Sequence, residues 1–276
     1  MLCINAYAKV NLFLNIVGQR SSGYHDIQSY FLRLNLADTI YAQLSDSINC
    51  FVEGETITDE NIVLKAIQQF SKVFNISRGI SIHIKKNIPI AAGLGGGSSN
   101  AATILKLLPK LWNIKGISER QLKDIALKIG ADVPFFLSNQ NAFIEGVGDI
   151  LTPVKLGQNF FIVLINPRIK ILSKDAYSSV MMNNFSKKIQ VNPDSIMNEI
   201  LYGKNDLEKY AKEKYPVIRK LIKKIEDQKN CIVSRMSGSG STCFGIFKNK
   251  KDAINATNNL SKFYPNFWIY YEKVIL

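Results

Sequence analysis

None of the four cysteines, Cys3, Cys50, Cys231 and Cys243, stands in a C-x-x-C pair. That absence argues against a zinc site and a disulfide framework, and it fits a cytoplasmic, reducing environment. Long apolar runs are missing at the start of the chain. The stretch MLCINAYAKVNLFLN carries a polar or charged residue every few positions, so it reads neither as a signal peptide nor as a membrane span. There is no G-x-S-x-G elbow, which leaves a Ser-His-Asp hydrolase with little support. Repeats and low-complexity tracts are absent as well.

Acidic residues are scarce: 22 Asp and Glu stand against 35 Lys and Arg, a formal net charge of +13. Such a balance attracts a polyanion, either nucleic acid or a phosphorylated metabolite. The lysine runs are short, at Lys187-Lys188, Lys223-Lys224 and Lys248-Asn249-Lys250-Lys251, and no aromatics interleave them. They read as solvated helix faces. The expected partner is therefore a small molecule, with no nucleic acid and no membrane involved.

What is present is a dense glycine run, Pro89-Ile90-Ala91-Ala92-Gly93-Leu94-Gly95-Gly96-Gly97-Ser98-Ser99-Asn100. It lies between a strand-like segment and a helix-like one. A helix N-terminus has unpaired N–H groups and partial positive charge, and a glycine loop feeding it lets the main chain approach a phosphate. Ser98 and Ser99 add hydroxyl donors. This is not a P-loop, because no Lys follows the glycines. The dinucleotide fingerprint fails too, since Ser98 stands where its third glycine belongs.

With 276 residues, 46% of them hydrophobic, the chain can fill one large or two modest domains. Residues 8–17 alternate, with Val10, Leu12, Leu14 and Ile16 on one face and Lys9, Asn11, Phe13 and Asn15 on the other. A turn over residues 18–23 leads to Tyr24, His25 and Asp26 and a strand over 27–36. Residues 61–74 read as a helix, and Ile80, Ile82 and Ile84 mark a half-buried strand. Helical spacing resumes at Ala101 and runs to Trp112, with Pro109 expected to end or kink it near Leu108. Ser118 and Gln121 form a capping box for a second helix, Gly130 ends it and Pro134 prevents its continuation. Further on come a strand over 160–166, a charged helical stretch over 194–228 broken at Pro216, and two strands over 231–247. A Gly/Ser turn, Ser237-Gly238-Ser239-Gly240-Ser241, separates those two strands. A helix over 252–263 and a strand over 267–275 complete an α+β pattern.

Lys9 and Asn11 share a strand face because the side-chain period is two. A lysine there is either solvated or held rigidly, and the fully apolar opposite face favours the second. Asp132 lies between Gly130 and Pro134, where a carboxylate does not help the helix that ends there. A phosphate loop, a cation and a carboxylate together make the set that phosphoryl transfer uses. His83 alternates with isoleucines and reads as structural or solvated. His25, beside Tyr24, is either a turn residue or one half of a holder for a flat heterocycle.

These motifs resemble the galactokinase, homoserine kinase, mevalonate kinase and phosphomevalonate kinase (GHMP) family. The central motif stands at Pro89–Ser99, the N-terminal one at Ala8–Leu12 and the C-terminal one at Ser237–Ser241. The segments AKVNLFLNIVGQRSSGYHDIQS, IPIAAGLGGGSSNAA, GADVPFF, EGVGDILTP and SRMSGSGSTCF extend the likeness over nearly the whole chain. They narrow it to the member acting on the 2-hydroxyl of a cytidine-diphosphate-linked methylerythritol, in the non-mevalonate route to isoprenoid precursors.

The resemblance implies a two-domain fold, with an ATP-binding domain over 1–155, a substrate-binding domain over 156–276 and the active site in the cleft between them. Lys9 and Asp132 would be catalytic, with Asn11 near the reacting alcohol. Asn61, Ile62 and Val63 would lie at the adenine. Pro89, Gly93, Leu94, Gly95, Gly96, Gly97, Ser98 and Ser99 would wrap the ATP phosphates. Tyr24 and His25 would hold the cytosine, with Tyr177 as a second wall, and Gly238 and Ser239 would border the substrate's phosphates. Mg2+ is expected with ATP, but no ligands for it are assigned. Tyr177 stands where the family pattern has Phe, which keeps stacking and adds a hydroxyl.

Overall fold

The alternating and helical patterns map onto two compact units in a computed structural model that describes residues 1–58, 61–157, 159–180 and 185–275. One unit gathers Met1–Ala8, Asn35–Ile88 and Gly95–Asn139. The other gathers Lys9–Leu34, Pro89–Leu94 and the chain from Gln140 onward. The long strands β1 (Leu2–Gln19) and β2 (His25–Ser45) contribute to both, and so does the glycine run.

In the first unit, β3 (Ile48–Val52) is followed by α1 (Ile62–Phe74) and β4 (Gly79–Lys85), then by α2 (Gly96–Leu111), α3 (Glu119–Ile129) and the short α4 (Val133–Leu137). β4 pairs parallel with β3 and antiparallel with residues 39–45 of β2. Ile80, Ile82 and Ile84 are buried while His83 and Lys85 are exposed, as alternation requires. Val63, Ala66, Ile67 and Phe70 form the buried stripe of α1, and the Phe70 ring lies 5.8 Å from that of Trp112.

The helix ends follow their caps. The Asn61 side chain accepts from the Val63 N–H at 2.9 Å. Ser118 and Gln121 form the capping box: Ser118 Oγ accepts from Gln121 N at 3.3 Å, and Gln121 Oε1 accepts from Ser118 N at 2.9 Å. Pro109 does not end α2 at Leu108. The helix runs on to Leu111, and Trp112 N–H closes on Leu108 O at 2.9 Å. A proline this near a C-terminus removes one donor from the final turns and leaves the rest of the helix intact. Beyond Gly130 the chain restarts as α4. Pro134 sits in its first turn, where a missing N–H costs nothing.

In the second unit, β5 (Ala142–Gly146) pairs antiparallel with residues 27–31 of β2 and with β6 (Ile150–Pro153). There follow β7 (Phe160–Asn166), α5 (Ser173–Ser178), α6 (Pro193–Tyr202), α7 (Glu208–Lys214), α8 (Pro216–Glu226), β8 (Cys231–Met236), β9 (Cys243–Phe247), α9 (Lys250–Phe263) and β10 (Trp268–Val274). The last four strands form an antiparallel sheet in the order β10-β7-β9-β8. Ile218, Leu221, Ile222 and Ile225 give α8 its buried face. Pro216 opens α8, and the charged helical stretch breaks a second time after Tyr202. The Ser237–Ser241 turn joins β8 to β9 as the pattern predicts.

Candidate active site

β1 is buried on both faces near its middle. Val10, Leu12 and Ile16 are fully buried, and Lys9 and Asn11 are only 4% and 1% exposed. The solvated reading of Lys9 is thereby excluded. A buried ammonium must be paired or hydrogen-bonded. Lys9 Nζ donates to Asn11 Oδ1 at 2.5 Å and stands 4.1 Å from the centre of the Phe31 ring. Asn11 Nδ2 donates to Ser29 Oγ at 3.0 Å, and Ser29 Oγ donates to Phe13 O at 2.5 Å. The amide oxygen of Asn11 is thus turned to the lysine.

The same strand grips the glycine run. Lys9 N–H donates to Leu94 O at 2.9 Å. The Ser237 hydroxyl accepts from Asn11 N–H at 3.1 Å and donates to Gly93 O at 2.9 Å, while Thr242 N–H reaches Ala92 O at 3.2 Å. Close approach explains the glycines here. Gly93 has φ +73, and a Cβ on it would lie 2.2 Å from Ser237 O. Gly238 has φ +54, and a Cβ there would lie 3.0 Å from Asn11 Oδ1. The second unit therefore brings three separate motifs together: Lys9 and Asn11, Pro89–Leu94, and the turn holding Gly238.

Its other cluster is aromatic. His25 opens β2, and its ring stacks on Tyr177 of α5 with centroids 5.6 Å apart and planes 28° apart. His25 Nε2 is buried with no hydrogen-bond partner. Burial lowers its pKa below the ordinary 6.5, which favours the neutral ring. Tyr24 is 66% exposed, and its carbonyl accepts from Arg20 N–H at 2.7 Å. Ser239 Oγ lies 2.9 Å from Ser173 Oγ on the helix that carries Tyr177. The pattern gave no sign of α5, a single short turn.

The first unit holds the remaining candidates. Gly95 is the N-cap of α2 at φ +71, so Gly96, Gly97, Ser98 and Ser99 form the first helical turn. Ile62 packs beside it: a Cβ on Gly97 would lie 3.4 Å from Ile62 Cγ2, and one on Gly130 would lie 3.5 Å from Ile62 Cδ1. Asn61–Val63, the start of α2 and the segment leading to Asp132 are thus neighbours. Asp132 is half-buried and is the N-cap of α4, without a capping hydrogen bond from its side chain. It stands at the start of a helix as well as past the end of one, because α4 was not foreseen.

The sequence pattern placed the cation on the first strand, at Lys9, and gave no sign of a second one here. Lys86, three residues before Pro89, has its Nζ 2.5 Å from Asp38 Oδ2. A Cβ on Gly96 would lie 3.3 Å from that ammonium. Asp38 is fully buried and also accepts from the N–H groups of Asn87 and Ile88 at 2.8 and 2.9 Å.

Comparison with known proteins gives the family. The model of the GHMP kinases N terminal domain matches residues 61–140, and that of GHMP kinases C terminal matches 188–266. A 4-diphosphocytidyl-2-C-methyl-D-erythritol kinase of Thermodesulfovibrio yellowstonii is 36% identical over 97% of this chain and 96% of its own length. The chain belongs to the GHMP kinase family. A second relative of that name, from Alkaliphilus oremlandii, is 37% identical and covers 96% of this chain and 94% of its own. A crystal structure of 4-(cytidine 5'-diphospho)-2C-methyl-D-erythritol kinase is similar with a TM-score of 0.81 and 28% identity, covering 100% of both chains. The homoserine kinase of Cytophaga hutchinsonii shares the fold alone, with a TM-score of 0.71 at 16% identity over 99% of this chain and 95% of that one.

A GHMP kinase works with ATP. At the start of α2 the helix leaves its first N–H groups without helical partners, with Ser98 half-buried and Ser99 buried in the same turn. Among the described residues, no three His, Cys, Asp or Glu side chains gather as a metal cage. Among the described residues, no helix is long and apolar enough to cross a membrane.

Proposed function

We propose that this GHMP kinase transfers the γ-phosphoryl group of ATP to the 2-hydroxyl of 4-diphosphocytidyl-2-C-methyl-D-erythritol, in the non-mevalonate route to isoprenoid precursors. The observation that carries the reading is the combination of two things. Relatives of that name are about a third identical over nearly the full chain, and the His25–Tyr177 stack stands in the unit that also holds Lys9.

Each residue has a physical task in this reading. The flat stack of His25 and Tyr177, bordered by Tyr24, takes the cytosine ring, and the unpartnered Nε2 of His25 meets one polar edge of the base. Gly238 and Ser239 border the diphosphate. Asn11 orients the alcohol, and Lys9 offsets the charge of the phosphoryl group in flight. Asp132 takes or orients the proton of the attacking hydroxyl. Asn61, Ile62 and Val63 flank the adenine, and Pro89 and Gly93–Ser99 cradle its phosphates. Mg2+ on those phosphates supplies further charge neutralisation. The reaction belongs in the cytoplasm, where the four free cysteines stay reduced.

The test is direct. The protein is incubated with ATP, Mg2+ and a panel of alcohols that includes homoserine, mevalonate and the cytidine-linked methylerythritol. Gain of one phosphate by mass on the last alone is expected. Phosphorylation of another alcohol, with no binding of cytidine nucleotides, would replace this acceptor by that one.

A further inference from the structure

We propose that Ser237 is a positioning residue for phosphoryl transfer, holding the strand that carries Lys9 in register with the glycine run; this rests on the kinase reading above. Ser237 is fully buried. Its hydroxyl accepts from Asn11 N–H at 3.1 Å and donates to Gly93 O at 2.9 Å. Next to that bridge, Lys9 N–H donates directly to Leu94 O at 2.9 Å. The segment 9–11 and the segment 93–94 are therefore clasped twice, once main chain to main chain and once through a hydroxyl.

The chemistry of the bridge is narrow. One atom must accept from an N–H and donate to a carbonyl at the same moment, which a hydroxyl does and a methyl cannot. The hydroxyl is itself aimed by a closed turn. Ser237 N–H donates to Thr242 O at 2.9 Å, and Gly240 N–H donates to Ser237 O at 3.0 Å. Asn205 Nδ2 holds the carbonyls on either side, Met236 O at 2.9 Å and Gly238 O at 2.7 Å. There is no slack on the far side either, because a Cβ on Gly93 would lie 2.2 Å from Ser237 O.

The consequence runs through Asn11. Its main chain is fixed by Ser237, and its side chain accepts from the Lys9 ammonium at 2.5 Å. Losing the hydroxyl leaves a buried N–H and a loop carbonyl without their partner and lets the strand shift against the loop. Displacement of a reacting group by about 1 Å costs on the order of 10²-fold in rate. Ser237 thus acts on catalysis through Asn11, Lys9 and Gly93 without touching the reactants.

The test compares wild type, Ser237→Ala and Ser237→Thr with ATP and the cytidine-linked acceptor, alongside amide hydrogen exchange. In Ser237→Ala, kcat is expected to fall about ten-fold or more with both KM values nearly unchanged. The Asn11 amide should exchange faster and the thermal midpoint should fall by several degrees for the two lost bonds, while helix content is kept. Ser237→Thr, which keeps the hydroxyl, should restore most of kcat and the slow exchange. An active wild type whose Ser237→Ala variant keeps its kcat would overturn the proposal alone. So would a loss of kcat that Thr does not restore and that merely follows a fall in thermal midpoint. A wild type that phosphorylates no alcohol would overturn the kinase reading, and the proposal with it.

Discussion

The ammonium of Lys9 lies 2.5 Å from Oδ1 of Asn11, two residues along the same strand and on the same face. The amide oxygen and the Phe31 ring face together keep the charge tolerable inside the protein. Replacing Lys9 by Ala should therefore cost transition-state stabilisation far more than binding. The expected loss in kcat is about 10²–10³-fold, the range found when one charge-stabilising donor is removed. Steady-state kinetics with a parallel nucleotide-binding titration checks it, and a near-normal kcat would take Lys9 out of the catalytic set.

Asp132 is half-buried at the head of α4, and its side chain makes no capping bond to that helix. Asp132→Asn keeps size and shape and removes the negative charge together with the ability to take a proton. Loss of a positioned general base typically costs about 10²–10⁴-fold. The variant should still bind ATP with nearly the wild-type affinity, as a fluorescent-nucleotide displacement assay would show. Turnover close to wild type would leave Asp132 with no role in proton transfer.

Much of this was legible because the carriers are local. Alternation marked β1 and β4, helical spacing with Asn61 and Ser118 marked α1 and α3, and the Gly/Ser turn marked the β8–β9 hairpin. What pattern could not supply was anything set by distant partners. α5 is one short turn, too brief for periodicity, yet it carries Tyr177 to His25. β5 gains its pairing from β2, more than a hundred residues earlier in the chain, and β6 then pairs on β5. Ser237 looked like one serine among three in a turn, and only the hydrogen bonds to Asn11 and Gly93 set it apart.

The His25–Tyr177 stack carries a pH signature. Burial holds the His25 pKa below 6.5, so the folded protein resists protonation more than the unfolded chain does. Well above 6.5 both states are neutral there and pH has no effect through this group. As pH falls below 6.5 the unfolded chain takes up the proton first, and the stability contributed by the neutral ring is lost. The acceptor KM should likewise be flat above 6.5 and rise in acid, whereas the KM for ATP should not follow. Tyr177→Phe should change little, because stacking is kept, while Tyr177→Ala should weaken acceptor binding by about 0.5–1.5 kcal/mol. An acceptor KM indifferent to both pH and Tyr177→Ala would place the base elsewhere.

Lys86 and Asp38 make the last case, since their pairing serves folding and ligand binding at once. The Lys86 ammonium stands beside the N-terminus of α2, whose partial positive charge repels it unless an anion is present. Asp38 is that anion, fully buried, and its other oxygen satisfies two backbone N–H groups just before the glycine run. Asp38→Ala strips the charge balance and orphans both amides. The expected cost is about 3–5 kcal/mol, as for breaking a buried ion pair from one side. That should lower the thermal midpoint by on the order of 10 °C. Lys86→Met leaves the Asp38 carboxylate its two N–H donors but removes the ammonium that balances its buried charge, so a comparable loss of stability is expected. In the folded enzyme the lost ammonium should also raise the KM for ATP, about ten-fold for each 1.4 kcal/mol removed, and leave the acceptor KM unchanged. Calorimetry and a two-substrate kinetic matrix separate the effects, and a Lys86→Met enzyme with an unaltered KM for ATP would confine this ion pair to folding.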